Sequence, residues 1–194
     1  MNRPSGTSRR RRPRGLLAWI TALLLLTGSL LVSAVPAGAT ENGLLDATCI
    51  PPSSSDIAYT PPLTNTPQPS SAFVSWQLGP CVSTSVPGLT SGTSTDSVPP
   101  RSRSCLDLLA AGTETKVVTW NTGATSTLSM NRTVTVAGAV VLVTHTGTVT
   151  SGLFAGDTVV ATETAPATDI TLCTLGLGTV GTVYGVMTLE ITSV

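Results

Sequence analysis

The 194-residue chain has few charged residues, few aromatic residues and a single histidine. Charged residues make up 10% of the sequence, against about 25% in a typical globular protein, and aromatic residues make up 4%. Glu, Lys, Gln and Arg favour helices, whereas the abundant Thr and Val favour strands. The composition therefore predicts a chain dominated by β-strands.

The motifs of common hydrolases and metalloenzymes are also absent. The sequence has no Gly-x-Ser-x-Gly or Cys-x-x-Cys motif, no calcium-binding loop, and only His145 as a histidine ligand or base. No carboxylate pair of the glycosidase type stands out among Asp157, Glu163 and Asp169. The glycines of Gly176–Gly181 match a dinucleotide fingerprint in spacing, but a strand is predicted to follow them. We expect no catalytic residue, no metal and no cofactor.

An export signal is present at the N-terminus. Six arginines between Arg3 and Arg14 precede an uncharged stretch, Gly15–Val35, after which Ala37-Gly38-Ala39 forms a small-residue cleavage site. This order predicts a signal peptide over residues 1–39, cut after Ala39, with a retained membrane anchor as the alternative. We predict a secreted protein with no membrane span after cleavage.

Loss of the signal peptide would change the net charge of the chain. Six arginines leave with it, whereas all ten acidic residues remain, together with Arg101, Arg103, Lys116 and Arg132. The remaining chain has a net charge of −6. Nucleic acids and anionic membranes bind proteins through clustered lysine and arginine, so we exclude both as partners.

All four cysteines follow the export signal, and their even number predicts two disulfides in an exported protein. Four cysteines allow three connectivities, which the sequence does not distinguish. We favour Cys49–Cys81 with Cys105–Cys173, because the first bridge would fasten a proline-rich segment that has little core of its own.

Prolines divide the exported chain. Residues 40–71 contain six prolines among Ser and Thr and are predicted to form an extended leader. Residues 72–194 are predicted to form one β domain with a loop-rich insertion at about 83–104.

Alternation of apolar residues with Thr and Ser predicts the strands. These cover residues 73–78, 116–120, 127–136, 140–149, 158–164, 170–173 and 183–192, and the third and fourth form a hairpin. Residues 105–111 fit either a short helix or a strand. Several short strands separated by turns predict an antiparallel β-sandwich of the immunoglobulin-like type or a Greek-key barrel.

Two polar residues lie on the apolar faces of predicted strands. The inward-facing position of Arg132 has two explanations. Its guanidinium pairs with a buried acidic residue at a ligand site, or it lies near a sheet edge and reaches water. His145 alternates with Val141, Val143 and Val149 on the core-facing side. A structural or edge-strand role is favoured for His145, and a catalytic triad is the alternative.

The arginine-rich leader, the segment from Gly147 to Asp157 and the segment from Tyr184 to Leu189 resemble small exported β-rich proteins of actinobacteria, of the streptomycete type. The resemblance implies an origin and a fold, and it implies no activity. We predict a non-enzymatic binding or cell-surface structural module whose partner is an extracellular protein or a cell-surface ligand. A secreted hydrolase using His145 and an extracellular protease inhibitor are the alternatives.

Overall fold

The computed structural model describes residues 44–194, which form a closed antiparallel barrel of eight strands with two further strands attached. Strands account for 65% of these residues and helices for 8%, so the predicted all-β class is confirmed. The predicted signal peptide and its cleavage site lie outside the described residues.

The described part of the chain contains ten strands and two short helices. The strands are β1 Leu45–Cys49, β2 Ser54–Leu63, β3 Gln68–Leu78, β4 Cys81–Ser83, β5 Gly92–Arg103, β6 Gly112–Trp120, β7 Thr125–Ala137, β8 Val140–Gly152, β9 Thr158–Pro166 and β10 Val180–Thr192. A 3-10 helix, Cys105–Leu109, precedes β6, and an α-helix, α1, Thr168–Thr174, precedes β10. Within residues 44–194, no helix has the length and apolar character needed to cross a membrane.

The barrel is an up-and-down barrel. Its strands follow the order β2-β3-β5-β6-β7-β8-β9-β10, and β10 pairs with β2 to close the ring. The C-terminal part of β10 pairs instead with β1, which in turn pairs with β4. Neighbours in the ring are therefore consecutive in sequence except where β4 intervenes and where β10 closes on β2, and this order replaces the predicted sandwich or Greek-key arrangement.

The proline-rich segment belongs to the barrel, so the predicted leader is wrong from β1 onwards. Strand β2 and the start of β3 both lie before residue 72 and complete the ring. Pro61 and Pro62 occupy an irregular stretch in which four residues of β2 lie opposite one residue of β10. A bulge of this kind does not need the hydrogen-bond donor that proline lacks.

The predicted insertion at about 83–104 is also wrong in its second half, because residues 92–103 form β5. Pro99 and Pro100 again lie at a register shift, opposite the interval from Ser70 to Ala72 in β3. Proline content thus indicated irregular pairing here and not the absence of a strand.

Residues 170–173, predicted as a strand, form part of α1. Ile170 and Cys173 are both buried, which is the spacing of one helical face. Asp169 lies in the first turn, where the helix dipole favours a negative charge, and Gly176 follows the helix end with φ +77°. The β-propensity of Thr and Ile is overridden by the burial of this single helical face.

The inside of the barrel has two apolar cores separated by polar residues. Along β8, Val141 and Val143 belong to one core and Val149 to the other, with His145 between them. The first core contains both buried tryptophans, Trp76 and Trp120, and the second contains residues of the 3-10 helix and α1. We call the residues between the cores the central polar layer; they are Ser55, Glu114, Lys116, Arg132, His145 and Glu163.

Each core contains one disulfide. Cys49–Cys81 joins directly opposed residues of β1 and β4 in the first core. Cys105–Cys173 joins the 3-10 helix to α1 in the second core. The expected two disulfides are present, in the pairing that the sequence analysis favours.

We expect loss of Cys105–Cys173 to destabilise the fold more than loss of Cys49–Cys81. The two bridges close segments of 68 and 32 residues, and a longer loop gains more entropy in the unfolded chain when it is released. Urea unfolding of the two double Cys→Ala variants should show losses of about 2–5 kcal/mol each, in that order. A loss below about 1 kcal/mol for the Cys105–Cys173 pair would contradict this assignment.

Candidate functional site

A cavity of about 680 Å³ lies inside the barrel, beside the second core. It opens between β5 and β6, which pair only at Gly92 with Trp120 and at Thr93 with Thr119 before they diverge. Binding sites for small organic molecules have volumes of about 300–1,000 Å³. The cavity is therefore large enough for a ligand, and the divergence of two strands gives access to it.

Ionic and polar contacts hold the two sides of this opening. Lys116 of β6 reaches across to Asp96 of β5, with Nζ 2.7 Å from Oδ2. Arg132 of β7 donates hydrogen bonds to the carbonyl oxygens of Leu108 and Ala110, each at 2.7 Å, and so fixes the chain between the 3-10 helix and β6. Arg132 thus lines the cavity and binds backbone, an outcome that differs from both sequence-based alternatives.

His145 lies between two carboxylates in the cavity wall. Its Nδ1 is 2.5 Å from Glu114 Oε1, and its Nε2 is 4.0 Å from Glu163 Oε2. The edge of the ring contacts Trp76, with ring centroids 5.4 Å apart. His145 is 3% exposed and belongs to a strand paired on both sides, so it is not an edge-strand residue.

The register of the sheet brings the side chains of His145, Glu114 and Glu163 together. His145 lies directly opposite Arg132 in β7, and Glu163 of β9 pairs with Val143, two residues from His145 on the same face. Gly185 of β10 leaves the space that Glu163 occupies, because a Cβ at Gly185 would lie 2.6 Å from Glu163 Cγ. A glycine at this position is therefore required for the placement of Glu163.

The two glutamates differ in their ease of ionisation. Burial raises the pKa of Glu163, and the nearby His145 and Ser55 only partly oppose this effect. Burial also raises the pKa of Glu114, but contact with His145 and the charges of Lys116 and Arg132 outweigh it and hold the pKa below its usual value. Two carboxyls whose pKa values are shifted in opposite directions can act as an acid and a base.

Four buried polar atoms of the central polar layer have no hydrogen-bond partner among the described residues. They are both ring nitrogens of His145, Oε1 of Glu114 and Oγ of Ser55. The contact of Glu114 with Nδ1 is close in distance but lacks hydrogen-bond angles, and Nε2, at 4.0 Å from Glu163, is beyond hydrogen-bond distance. Nδ1 of His145 and Oε1 of Glu114 face each other, and Oγ of Ser55 lies beside the Glu163 carboxyl. Because buried polar groups in native proteins are almost always satisfied, Nε2 of His145 is the atom left to a molecule in the cavity.

Only some of the candidate site residues identified from the sequence lie at the cavity. The structure brings Glu163 to His145, whereas Asp157 and Asp169 lie outside the cavity wall. Gly176 ends α1, and β10 follows, as expected for a glycine-rich turn. Within residues 44–194, no cluster of three or more His, Cys, Asp or Glu has the arrangement of a metal site.

Glu114 and Lys116 were missed by the sequence analysis. Both alternate with Val118 and Trp120, and that parity places them on the inner face of β6. The signal for both is a charged residue in phase with apolar residues, the same pattern that singles out Arg132 and His145.

No protein-family model, curated protein or solved structure matches this chain.

We expect Glu163→Gln to become more stable relative to wild type as the pH rises. Because burial raises the pKa of Glu163, its contribution to stability is full below the usual value of 4.5 and is lost as the pH rises through the raised pKa. Across that pH range, the difference in unfolding free energy should grow by about 1.4 kcal/mol for each unit by which the pKa of Glu163 in the folded protein exceeds its usual value. Urea unfolding at several pH values measures it.

Glu190→Gln is the matched control, because it removes one carboxyl from the exposed face of β10. The same pH dependence in both variants would show that net charge, and not burial of Glu163, is responsible.

Proposed function

We propose that this protein is a secreted binding protein that holds a small organic molecule inside its barrel. In this proposal the predicted signal peptide directs export and is removed after Ala39. Two disulfides fit an extracellular protein, since such bonds persist in oxidising compartments. The binding role sharpens the sequence-based prediction of a non-enzymatic module by naming the place where the ligand binds.

The observation that carries the proposal is a cavity of about 680 Å³ whose wall combines apolar residues with buried polar side chains. Ile57, Val74 and Val183 give it apolar walls, and His145 and Glu114 give it polar atoms at one region of the wall. Binding sites for small molecules combine these features: apolar surface supplies affinity, and a few placed polar groups supply orientation.

Rigid surroundings favour binding. Closure of the ring by β10 and β2, with one disulfide in each core, restrains the cavity walls before a ligand arrives. A preformed site loses less conformational entropy on binding than a flexible one.

We expect Gly112→Trp to block binding. Gly112 lies at the opening, two residues before Glu114 on the inner face of β6, and a Cβ there would meet no atom within 4 Å. The fluorescent probe N-phenyl-1-naphthylamine, which is neutral and apolar, should bind wild type with enhanced emission and bind Gly112→Trp at least about tenfold more weakly, a loss of about 1.4 kcal/mol.

The matched control is Gly88→Trp, because Gly88 is exposed, lies outside the cavity wall and likewise offers open space, with no atom within 4 Å of the position that a Cβ would occupy. Equal probe binding by the two tryptophan variants, or no binding by wild type, would refute the cavity as the binding site.

A second candidate function is hydrolysis, and the position of His145 between two glutamates favours it. Glu114 contacts Nδ1, so Nε2 is left to accept a proton from a water molecule that attacks a carbonyl carbon. Glu163, whose pKa is raised by burial, is the acid that returns a proton to the leaving group. In this mechanism Glu114 positions and stabilises the imidazolium, as the acidic member of a triad does.

For this second candidate, we expect wild type to hydrolyse 4-nitrophenyl esters and His145→Ala to lose at least about 100-fold in kcat/KM, the usual contribution of a general base. Glu190→Gln, remote from the cavity, should retain the wild-type rate. Lack of activity in the parent, or activity unchanged by His145→Ala, would exclude the hydrolase.

A further inference from the structure

The basic residues of the described part of the chain all lie around the barrel cavity. The four lysine and arginine residues of residues 44–194 and the sole histidine all line the barrel cavity; they are Arg101, Arg103, Lys116, Arg132 and His145. Of the nine acidic residues in the same range, five lie outside the cavity wall; they are Asp46, Asp56, Asp157, Asp169 and Glu190. The outer surface of the barrel is therefore acidic, and positive charge is confined to the cavity and its opening.

Two of these basic side chains contact acidic side chains. Lys116 forms its ion pair with Asp96, and His145 contacts Glu114. The three arginines differ, because none lies within 4.0 Å of a carboxylate oxygen in the described part of the protein. Of the other two acids of the cavity wall, Asp107 accepts hydrogen bonds from the backbone and hydroxyl of Ser104, and Glu163 faces His145.

Arg103 is the least exposed of the three arginines, at 4%. One of its nitrogens donates to the carbonyl oxygen of Ser70 at 2.9 Å, which leaves most of its five donors without a protein acceptor. Burial, reinforced by the like charge of Arg101, lowers the pKa of Arg103. Nearby Tyr59 and Asp107 oppose this effect only in part, and neither guanidinium has a carboxylate within 4.0 Å among residues 44–194, so an anion in the cavity would compensate both charges more completely.

Tyr59 adds a neutral donor to the same region. It lines the cavity, and the charges of Arg132, Arg103 and Arg101 all act on its hydroxyl. Burial nevertheless raises the pKa of Tyr59, so the phenol remains protonated and can donate a hydrogen bond.

We propose that the cavity binds an organic carboxylate, whose anionic group is held by Arg101, Arg103 and Tyr59 near the opening and whose apolar body extends inward along Val74 towards Trp76. Guanidinium groups bind carboxylates through paired, charge-assisted hydrogen bonds. Arg132 contributes its charge from the position fixed by Leu108 and Ala110. A positive opening in an acidic surface also attracts anions to the cavity in preference to the rest of the protein.

This inference rests on the proposed binding function, and a matched pair of probes separates the two. The probes are 2-naphthoate and 2-naphthamide, which have the same ring system and differ in the charge of one group. Calorimetric titration of the full exported chain should show 2-naphthoate binding at least about tenfold more tightly than the amide, as expected for hydrogen bonds to a charged group.

Arg101→Gln and Arg103→Gln test the assigned residues. Each substitution should weaken the binding of 2-naphthoate about tenfold or more and leave the binding of 2-naphthamide nearly unchanged, because only the carboxylate interacts with the guanidinium charge. Arg101 is exposed, so its variant preserves the fold even if burial of Arg103 makes the second variant unstable. Gln77→Glu is the control, since it changes the net charge by the same amount on the outer face of β3.

Each outcome decides the proposal. A preference for 2-naphthoate that Arg101→Gln removes and Gln77→Glu keeps supports it. Equal affinity for the two probes, both blocked by Gly112→Trp, overturns the carboxylate proposal and leaves the binding function standing. Failure of both probes to bind counts against both proposals.

Discussion

Charged side chains inside a barrel must be compensated there, because water does not reach them freely and transfer of an isolated charge into an apolar interior is costly. This constraint accounts for the arrangement of the central polar layer. Lys116 forms an ion pair with Asp96, and His145 contacts Glu114. Arg132 donates hydrogen bonds to two backbone carbonyl oxygens. The incompletely compensated groups, above all Arg103, all border the cavity, which is why a ligand is inferred there.

The two apolar cores allow the polar layer to exist. Burial of Trp76, Trp120 and the surrounding aliphatic residues on one side, and of Ile170 and its neighbours on the other, stabilises the barrel on both sides of the polar layer. Each core is also closed by a disulfide. Apolar burial in the two cores thus offsets the cost of the buried polar groups that line the cavity.

Binding and hydrolysis use the same cavity in different ways. A carboxylate near Arg101 and Arg103 would lie towards the opening, whereas Glu114, His145 and Glu163 lie farther along the wall towards Trp76. The opposite pKa shifts of Glu114 and Glu163 satisfy one requirement of acid–base chemistry. A ligand anchored at the opening would place its far end beside these groups, so the two proposed functions are chemically compatible.

The sequence by itself determined the strand-rich class, most strands of the second half, the number of disulfides, and the inward faces of Arg132 and His145. Composition indicates the class and the even cysteine count indicates two bridges, whereas alternation with period two fixes the face of each strand residue locally. Closure of the ring, the irregular pairing that admits Pro61 and Pro62, and the helix at residues 170–173 required the tertiary structure. So did the meeting of Glu114, His145 and Glu163, because register between strands depends on long-range pairing that no local pattern specifies.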